Sequence, residues 1–403
     1  MRRACFGFGR SALAIAGAAG TLTLGGFSWS GAEGLSPGIT IQTRFDQEQT
    51  GVPQPPGEWT QSLTPHLLLE RVGPLTTWDL RAERRYDKAA NVSGLHMSHD
   101  IVVGSAASRW GEHTNSNIEG SYYQSQDVFN PDPRAPFSNS RQWHSYGTAD
   151  LESWRGEASY LFDVASYEDT TLEDGHSQLL GGALYPLRSE ANRWMVGAHH
   201  EEWTVAGRNQ LTTTTATAGL RRDHTPTLTS ELQVGMAWID EEGVHRDDLA
   251  LVAGLKGFGQ ALGLPFDARF EFRHDVANTG LAEMWRSTPG KRFGLRWERT
   301  LDASGGFFDQ PTNQDYVTFT AQDTLGGRSI VSLEGSYRLA RPRSLNGDRL
   351  ETYRAAAAFS KDLQPWLRAK ARYSLAVQHS SPGIDAYPFD RNRVELMLTA
   401  VYQ

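Results

Sequence analysis

Apolar and polar residues alternate along most of the chain, in runs of roughly 9–13 residues with the period of two that is typical of strands. In the segment 266–273, three phenylalanines and one alanine alternate with four charged residues. Successive side chains of a strand point to opposite faces, so the pattern predicts strands with one apolar and one polar face. Such runs match the roughly 9–11 residues that cross a bilayer at a tilt, whereas soluble strands average about 5–6.

Turn-forming residues divide these runs, and the connections alternate in length. Short connections are predicted at 222–226 and 361–365, and longer ones at 127–141 and 241–245. Outer-membrane barrels have short periplasmic turns and longer external loops. The sequence therefore predicts an all-β fold, a single antiparallel transmembrane β-barrel of about 18–20 strands with both termini in the periplasm. The larger number counts the weak segment 279–287 as a strand, and 18 strands result if it belongs to a loop and one neighbouring strand is miscounted.

The first 32 residues have the features of a secretory signal peptide. Three arginines accompany a weakly apolar stretch, and Ser30 and Ala32 supply small residues before a cleavage site after Ala32. This predicts a signal peptide at 1–32 and an integral outer-membrane barrel at 33–403. Cys5 is the only cysteine and lies inside the signal, so the exported chain would have no disulfide or thiolate site.

The charge balance argues against nucleic acid as a partner. The formal net charge is −8 at pH 7, and loss of the signal peptide would remove three arginines and no acidic residue. Nucleic-acid-binding domains instead present a basic patch or stripe. Outside the signal, no segment approaches the about 18 consecutive apolar residues of a transmembrane helix, so any crossing of a membrane must use strands.

Tryptophans near the predicted strand ends form a candidate interface girdle. Trp and Tyr concentrate at both membrane–water interfaces of barrels, because the ring is apolar and its polar group is wet. The alternative is that Trp simply favours strands, which would scatter it along them. The girdle residues are Trp59, Trp78, Trp194, Trp238 and Trp297.

The polar faces of the predicted strands carry charges of both signs. A charge at mid-membrane on the lipid face costs about 2–4 kcal/mol, so these residues are expected to line the lumen. They either form a polar pathway for solutes or pair with one another and brace the lumen. The predicted lumen-lining residues are Arg81, Arg85, Arg269, Arg273, Arg296, Arg368, Lys370, Arg372, Glu271 and Glu395.

Arg368, Lys370 and Arg372 form the run of cations with the least obvious partners. They should project inward from one strand as a ladder with steps of about 6.6–6.8 Å. Glu351 on the preceding strand and Glu395 on the last strand are the candidate partners. Complete pairing would make the ladder structural, and incomplete pairing would favour anions or acidic sugars.

No catalytic residue, metal site or cofactor is predicted. His199 and His200 are adjacent, but neighbours in a strand point to opposite faces and cannot easily share one ion. The zinc motif His-Glu-x-x-His does not occur. A barrel enzyme would need a nucleophile set against a histidine at the rim, and twelve histidines make chance pairings unavoidable. We therefore expect a protein that is not an enzyme.

Two hairpin sequences resemble a known family. They are Leu220-Arg-Arg-Asp-His-Thr-Pro-Thr-Leu-Thr and Lys361-Asp-Leu-Gln-Pro-Trp-Leu. Both resemble the type 2 family of β-barrel porins, whose members often belong to exopolysaccharide gene clusters. The resemblance would cover the whole exported chain and implies no catalytic residues. The C-terminus departs from the usual ending on an aromatic residue, because Tyr402 is penultimate and Gln403 is last.

The resemblance implies a pore or conduit that exports an exopolysaccharide across the outer membrane. A general or selective diffusion porin is the first alternative, and a non-conducting barrel that binds at the cell surface is the second. The expected partners are outer-membrane lipids and lipopolysaccharide. A polysaccharide exporter would add periplasmic polysaccharide-export proteins and the polysaccharide itself.

Overall fold

The structure is a computed structural model of the 403-residue chain. It describes residues 35–48, 58–89, 96–110, 114–125, 138–151, 154–167, 174–186, 192–205, 208–261, 264–302, 311–342, 348–381 and 389–401. The predicted signal peptide, residues 1–32, lies outside the described residues. Over the residues described, no helix is long and apolar enough to cross a membrane.

The described residues form 20 strands. In chain order they are β1 (Leu35–Glu48), β2 (Glu58–Val72), β3 (Thr76–Ala89), β4 (His96–Arg109), β5 (Thr114–Ser125), β6 (Ser138–Leu151), β7 (Trp154–Tyr167), β8 (Gly175–Pro186), β9 (Asn192–Val205), β10 (Arg208–Thr225), β11 (Leu228–Glu241), β12 (Val244–Ala261), β13 (Leu264–His274), β14 (Asn278–Thr288), β15 (Lys291–Asp302), β16 (Thr312–Leu325), β17 (Ser329–Pro342), β18 (Leu350–Gln364), β19 (Leu367–Ser380) and β20 (Phe389–Val401).

Each strand pairs antiparallel with its neighbours in the sequence, and β1 closes the sheet by pairing with β20. The closing register runs from Gly38 opposite Val401 to Glu48 opposite Arg391. The predicted all-β antiparallel barrel is therefore confirmed, with the larger of the two expected strand numbers. The weak segment 279–287 falls inside β14, so the 18-strand alternative was wrong.

The two ends of the barrel differ in their connections. At the end where β1 begins and β20 ends, the connections are short, such as the turns at 226–227 and 365–366. At the opposite end, called the far end below, most connections are longer, such as 49–57 and 126–137. The predicted long connection at 241–245 was wrong. β11 and β12 run on to a two-residue turn, whose Glu242 and Gly243 have positive φ angles of 54° and 81° as a type I′ hairpin turn requires.

Contacts between non-adjacent strands identify the inner face of the barrel. Arg273 on β13 lies 2.6 Å from Glu201 on β9, which is possible only across the concave side of the sheet. Residues on the opposite face are apolar and exposed, as Leu232, Val234 and Met236 on β11 illustrate. The fold therefore places apolar side chains outside and the charged alternation inside.

One part of the inner face is packed against itself. At the far end of β9–β12, the buried inward-facing residues Trp203, Val205, Leu211 and Ile239 cluster with Val276, from the turn that follows β13. We call this region, the far-end inner faces of β9–β13 with the turn 275–277, the packed corner. It depends on close approach of β10 and β11, because a Cβ at Gly235 would overlap the backbone of Ala216 and Thr217.

Candidate pore lining

All ten predicted lumen-lining residues lie on the inner face, as strand alternation and pairing place them. They share this face with buried polar residues such as Gln42, Ser62 and Gln233. Arg81 and Arg85 belong to β3, Arg269, Glu271 and Arg273 to β13, Arg296 to β15, Arg368, Lys370 and Arg372 to β19, and Glu395 to β20.

Five of the seven predicted lumen-lining arginines, and also Arg393, pair with an acid two positions later in the chain. The spacing keeps both side chains on one face, about 6.6–6.8 Å apart along the strand. The pairs are Arg81–Glu83 at 2.7 Å, Arg85–Asp87 at 2.8 Å, Arg269–Glu271 at 2.6 Å, Arg296–Glu298 at 2.8 Å and Arg393–Glu395 at 4.0 Å, together with Arg273–Asp275. The sequence signal Arg-x-Asp/Glu would have found the acidic partners that the charge alternation alone did not single out.

The cation ladder lies on the inner face of β17–β19, which we call the charged wall. Arg368 bonds Asp362 on β18 at 2.5 Å, and Arg372 reaches Glu334 on β17 at 3.1 Å. Lys370 stands between them and forms no ion pair within 4.0 Å with the described residues. The ladder is therefore paired at both ends and open at its centre.

The expected pairing with Glu351 was wrong. The inward residues of β18 are even-numbered, such as Thr352, so Glu351 points outward and accepts a hydrogen bond from Tyr353 at 2.8 Å. The other expected partner, Glu395, does face inward. It accepts a hydrogen bond from Gln42 on β1 at 2.5 Å, across the seam of the barrel.

The packed corner contains an ion network that links β9 to β13. Arg273 bonds Glu201 at 2.6 Å and also bonds Asp275, while the ring of His199 lies 3.4 Å from Asp275. Burial acts to raise the pKa of Asp275. Hydrogen bonds from His199, Arg273 and the Ala277 amide, with the charge of Arg273, outweigh burial and lower that pKa below its usual 3.8.

A second inner-face cluster was not predicted. On β8, the Tyr185 hydroxyl donates a hydrogen bond to Glu157 on β7, and the Arg221 guanidinium of β10 lies 5.8 Å from the Tyr185 ring centre. Apart from Arg155-x-Glu157 on β7, no alternation of charges marks this site, because its residues come from separate strands. Only the strand register brings them together.

All five predicted girdle tryptophans lie on the outer face. Trp78 and Trp194 are close to the end where β1 begins and β20 ends, and Trp59 and Trp238 are closer to the far end. Trp194 is the most exposed of them. Trp297 is farther from a strand end than the other four, since it lies five residues before the last residue of β15. A role at a membrane interface stays a prediction for all five.

His199 and His200 point to opposite faces, and His200 bonds Thr214 on the outside at 2.9 Å. Within the described ranges, no group of three or more His, Cys, Asp and Glu residues could hold a metal ion. The sequence Gly34-Leu-Ser-Pro-Gly38 fits the pattern Gly-x-Ser-x-Gly. Its Ser36 lies within β1, opposite Leu68, and not on the strand-to-helix turn that a serine nucleophile of this type needs.

Solved structures with a similar fold include outer-membrane proteins. A mutant of the ferric enterobactin receptor PfeA from Pseudomonas aeruginosa has a TM-score of 0.46 and 9% identity, over 92% of this chain and 80% of that one. OccK2 (OpdF) of the same organism has a TM-score of 0.40 and 10% identity, over 91% and 98%. Its outer membrane protein OpdK has a TM-score of 0.38 and 11% identity, over 92% and 100%.

No protein-family model and no curated protein matches the sequence. The resemblance to type 2 porins therefore stays a prediction. The functional proposal that follows rests on the lumen and the outer surface of this barrel.

Proposed function

We propose that the chain is an outer-membrane channel through which small solutes diffuse passively. The observation that carries the proposal is the hydration of the inner ion pairs. The side chains of Arg269 and Glu271 are 43% and 49% exposed, and those of Arg372 and Glu334 are 31% and 54% exposed. Ionised groups away from water are costly, so pairs with this exposure indicate a wet lumen.

The width of the barrel supports the same function. Barrels of about 16–18 strands already leave an aqueous channel, because side chains alone cannot fill them. A closed sheet of 20 strands is wider still. The packed corner occupies the inner face of β9–β13, and ion pairs elsewhere on that face, such as Arg296–Glu298 and Arg368–Asp362, remain partly exposed.

The outer surface supports placement in a membrane. Apolar residues with large exposed side chains lie on the outward face of many strands, among them Phe270 on β13, Leu333 on β17 and Leu398 on β20. A bilayer would cover this surface, and a barrel satisfies every backbone hydrogen bond there because it has no free edge. The short connections at the end where β1 begins and β20 ends suit the periplasmic side of an outer membrane.

Export of an exopolysaccharide was expected from the resemblance to type 2 porins, and nothing in the comparisons supports it. Passive diffusion needs no more than the wet lumen and the apolar exterior described above. We therefore adopt the diffusion porin, which was the first alternative, over the exporter.

Single-channel recording of the refolded protein in planar bilayers tests the proposal. We expect steady conductance steps that scale with salt concentration, as in a water-filled pore. Refolded barrels that leave the bilayer electrically silent would contradict the proposal and favour a surface-binding barrel.

A matched pair of substitutions tests which side of β13 faces the lipid. Phe270→Arg should weaken insertion by about 2–4 kcal/mol, because it places a charge in mid-membrane lipid. Glu271→Gln, at the next position on the inner face, should insert almost normally. Equal damage from the two changes would mean that β13 has no lipid-facing side.

A further inference from the structure

The outer surface of β15–β19 near the far end consists of three stacked rows of side chains. The strand register aligns Trp297, Val317, Tyr337, Tyr353 and Val377 in the lowest, aromatic row. Two residues farther along each strand, it aligns Arg299, Asp315, Leu339, Glu351 and His379 in a charged row. Arg341 and Arg349 stand at the next step, in a basic row.

The rings of the aromatic row touch one another and the row above. The ring centres of Tyr337 and Tyr353 are 4.9 Å apart, and the His379 ring lies 6.2 Å from that of Tyr353. The Arg299 guanidinium lies 6.0 Å from the Trp297 ring centre. A change from apolar to aromatic to charged residues along a barrel wall is typical of the membrane–water boundary.

The acids of the charged row already have cationic partners. Arg299 holds Asp315 with two hydrogen bonds of 2.7 Å, and Arg349 lies 3.0 Å from Glu351. Neither carboxylate is therefore left to repel an anion that approaches from the bilayer.

The two arginines of the basic row can bind more anions than the partners they already have. The Arg349 side chain is 60% exposed although it pairs with Glu351. Arg341 is exposed, and with the described residues it forms no ion pair within 4.0 Å. Both guanidiniums can therefore meet an additional anion.

The opposite side of the barrel lacks this arrangement. At the far end of β8–β12, the outward row is Gln178, Glu202, Thr212, Asp240 and His245, with no arginine or lysine. The basic row of β17 and β18 thus has no counterpart in this row of β8–β12.

We infer that this basic row binds the phosphate groups of the anionic, phosphorylated glycolipid of the outer leaflet, lipopolysaccharide. The planar guanidinium presents paired donors that match phosphate oxygens. The tyrosines below would lie at the start of the acyl chains. The inference rests on the proposed orientation, which puts the far end at the cell surface.

Binding of lipopolysaccharide to the refolded, delipidated barrel in mild detergent tests the inference. Arg341→Gln combined with Arg349→Gln should weaken binding roughly 30-fold, about fivefold for each basic residue near an anionic surface. Arg286→Gln combined with Lys291→Gln is the matched control, because these cations face outward at the opposite end of the barrel. The control should bind as the wild type does, and a dephosphorylated glycolipid should bind weakly to every version.

Unchanged binding in the Arg341/Arg349 variant would overturn the inference, and so would equal loss in the control or equal binding of the dephosphorylated lipid. Retention of the compact, heat-modifiable barrel on electrophoresis verifies that each variant is folded.

Conductance measurements distinguish a failure of this inference from a failure of the proposed function. Both arginines lie outside the lumen, so a barrel that binds lipopolysaccharide without conducting would contradict only the channel.

Discussion

The packed corner and the charged wall use the same kinds of side chain on the same inner face, but in opposite surroundings. In the corner, the Arg273 and Asp275 side chains are 24% and 2% exposed, and Val276, next to Asp275, belongs to the buried apolar cluster of Trp203 and Ile239. On the wall, Arg368 and Arg372 meet their acids in contact with water. An inner ion pair of this barrel therefore has no single role.

The difference lies in solvent. A hydrated pair contributes about 0–1 kcal/mol to stability, because water competes with both partners. A buried pair that loses one partner leaves an uncompensated charge behind, which costs about 3–5 kcal/mol. We therefore expect the packed corner to maintain the shape of the barrel and the charged wall to act on passing solutes.

The largest expected effect follows from breaking the ion network of the corner. Arg273→Ala would leave Glu201 and Asp275 buried without their shared cation, so it should lower the free energy of unfolding by about 3–5 kcal/mol. Arg269→Ala on the same strand removes only an exposed pair with Glu271 and should cost about 0–1 kcal/mol. Urea titration of barrels refolded into lipid vesicles measures both. Similar losses for the two variants would erase the distinction between corner and wall.

The next effect concerns the close approach of β10 and β11. Gly235→Ala would push a methyl group into the backbone at Ala216 and Thr217, and we expect a loss of about 1–3 kcal/mol, the usual cost of overpacking. Gly335 on β17 is the control, because the nearest atom to an added Cβ, the Arg354 carbonyl oxygen, is 3.9 Å away. Gly335→Ala should change stability by less than about 0.5 kcal/mol. If Gly235→Ala changed the free energy of unfolding as little as Gly335→Ala in the same titration, the corner would not be tightly packed.

A smaller effect depends on pH. The pKa of Asp275 is lower in the folded state than in the unfolded state. Its carboxylate therefore contributes its full stabilisation of the fold above about pH 4, and this stabilisation is lost as the pH falls through the folded pKa. In that window the unfolded state binds more protons, so stability should fall with pH by at most about 1.4 kcal/mol per pH unit for this group. Asp275→Asn should flatten that part of the profile. A variant with the same slope as the wild type would exclude Asp275 as its source.

The sequence was sufficient to predict the fold, for a physical reason. A lipid-facing strand must be apolar at every second position, and that period is visible without any tertiary information. The prediction went wrong at 241–245, because a strand that continues beyond the bilayer has no need of an apolar face and so looks like a loop. The acidic residues around Glu241 are of this kind.

The candidate site was only partly predictable. Alternation identifies inward charges such as Arg269 and Arg372, but their partners depend on register. Glu334 lies two strands away from Arg372, and the parity of β18 turns Glu351 outward. The corner left no local signal, since inward threonines such as Thr213 and Thr215 resemble an ordinary polar lumen face in the sequence, although the structure buries them.

The smallest expected effect on stability, and the sharpest on function, concerns Lys370. It is the central cation of the ladder, and its neighbours Arg368 and Arg372 are held by Asp362 and Glu334. Lys370→Gln leaves no acid without its ion-pair partner, so the free energy of unfolding should change by less than about 0.5 kcal/mol. A unit charge roughly 8 Å from a passing ion in water contributes about 0.5 kcal/mol, with opposite signs for chloride and potassium, so their permeability ratio should fall by about fivefold.

Reversal potentials across a salt gradient measure this change, and two variants isolate its cause. Lys361→Gln removes the same charge from the outer face of the neighbouring strand β18 and should leave selectivity unchanged. Lys370→Arg keeps the charge and should preserve the ratio. The combined change of Arg368, Lys370 and Arg372 to Gln leaves Asp362 and Glu334 without their cations and should shift selectivity further toward cations. If that triple variant kept the wild-type ratio, the ladder would only brace the lumen, and the wall would act on solutes no more than the corner does.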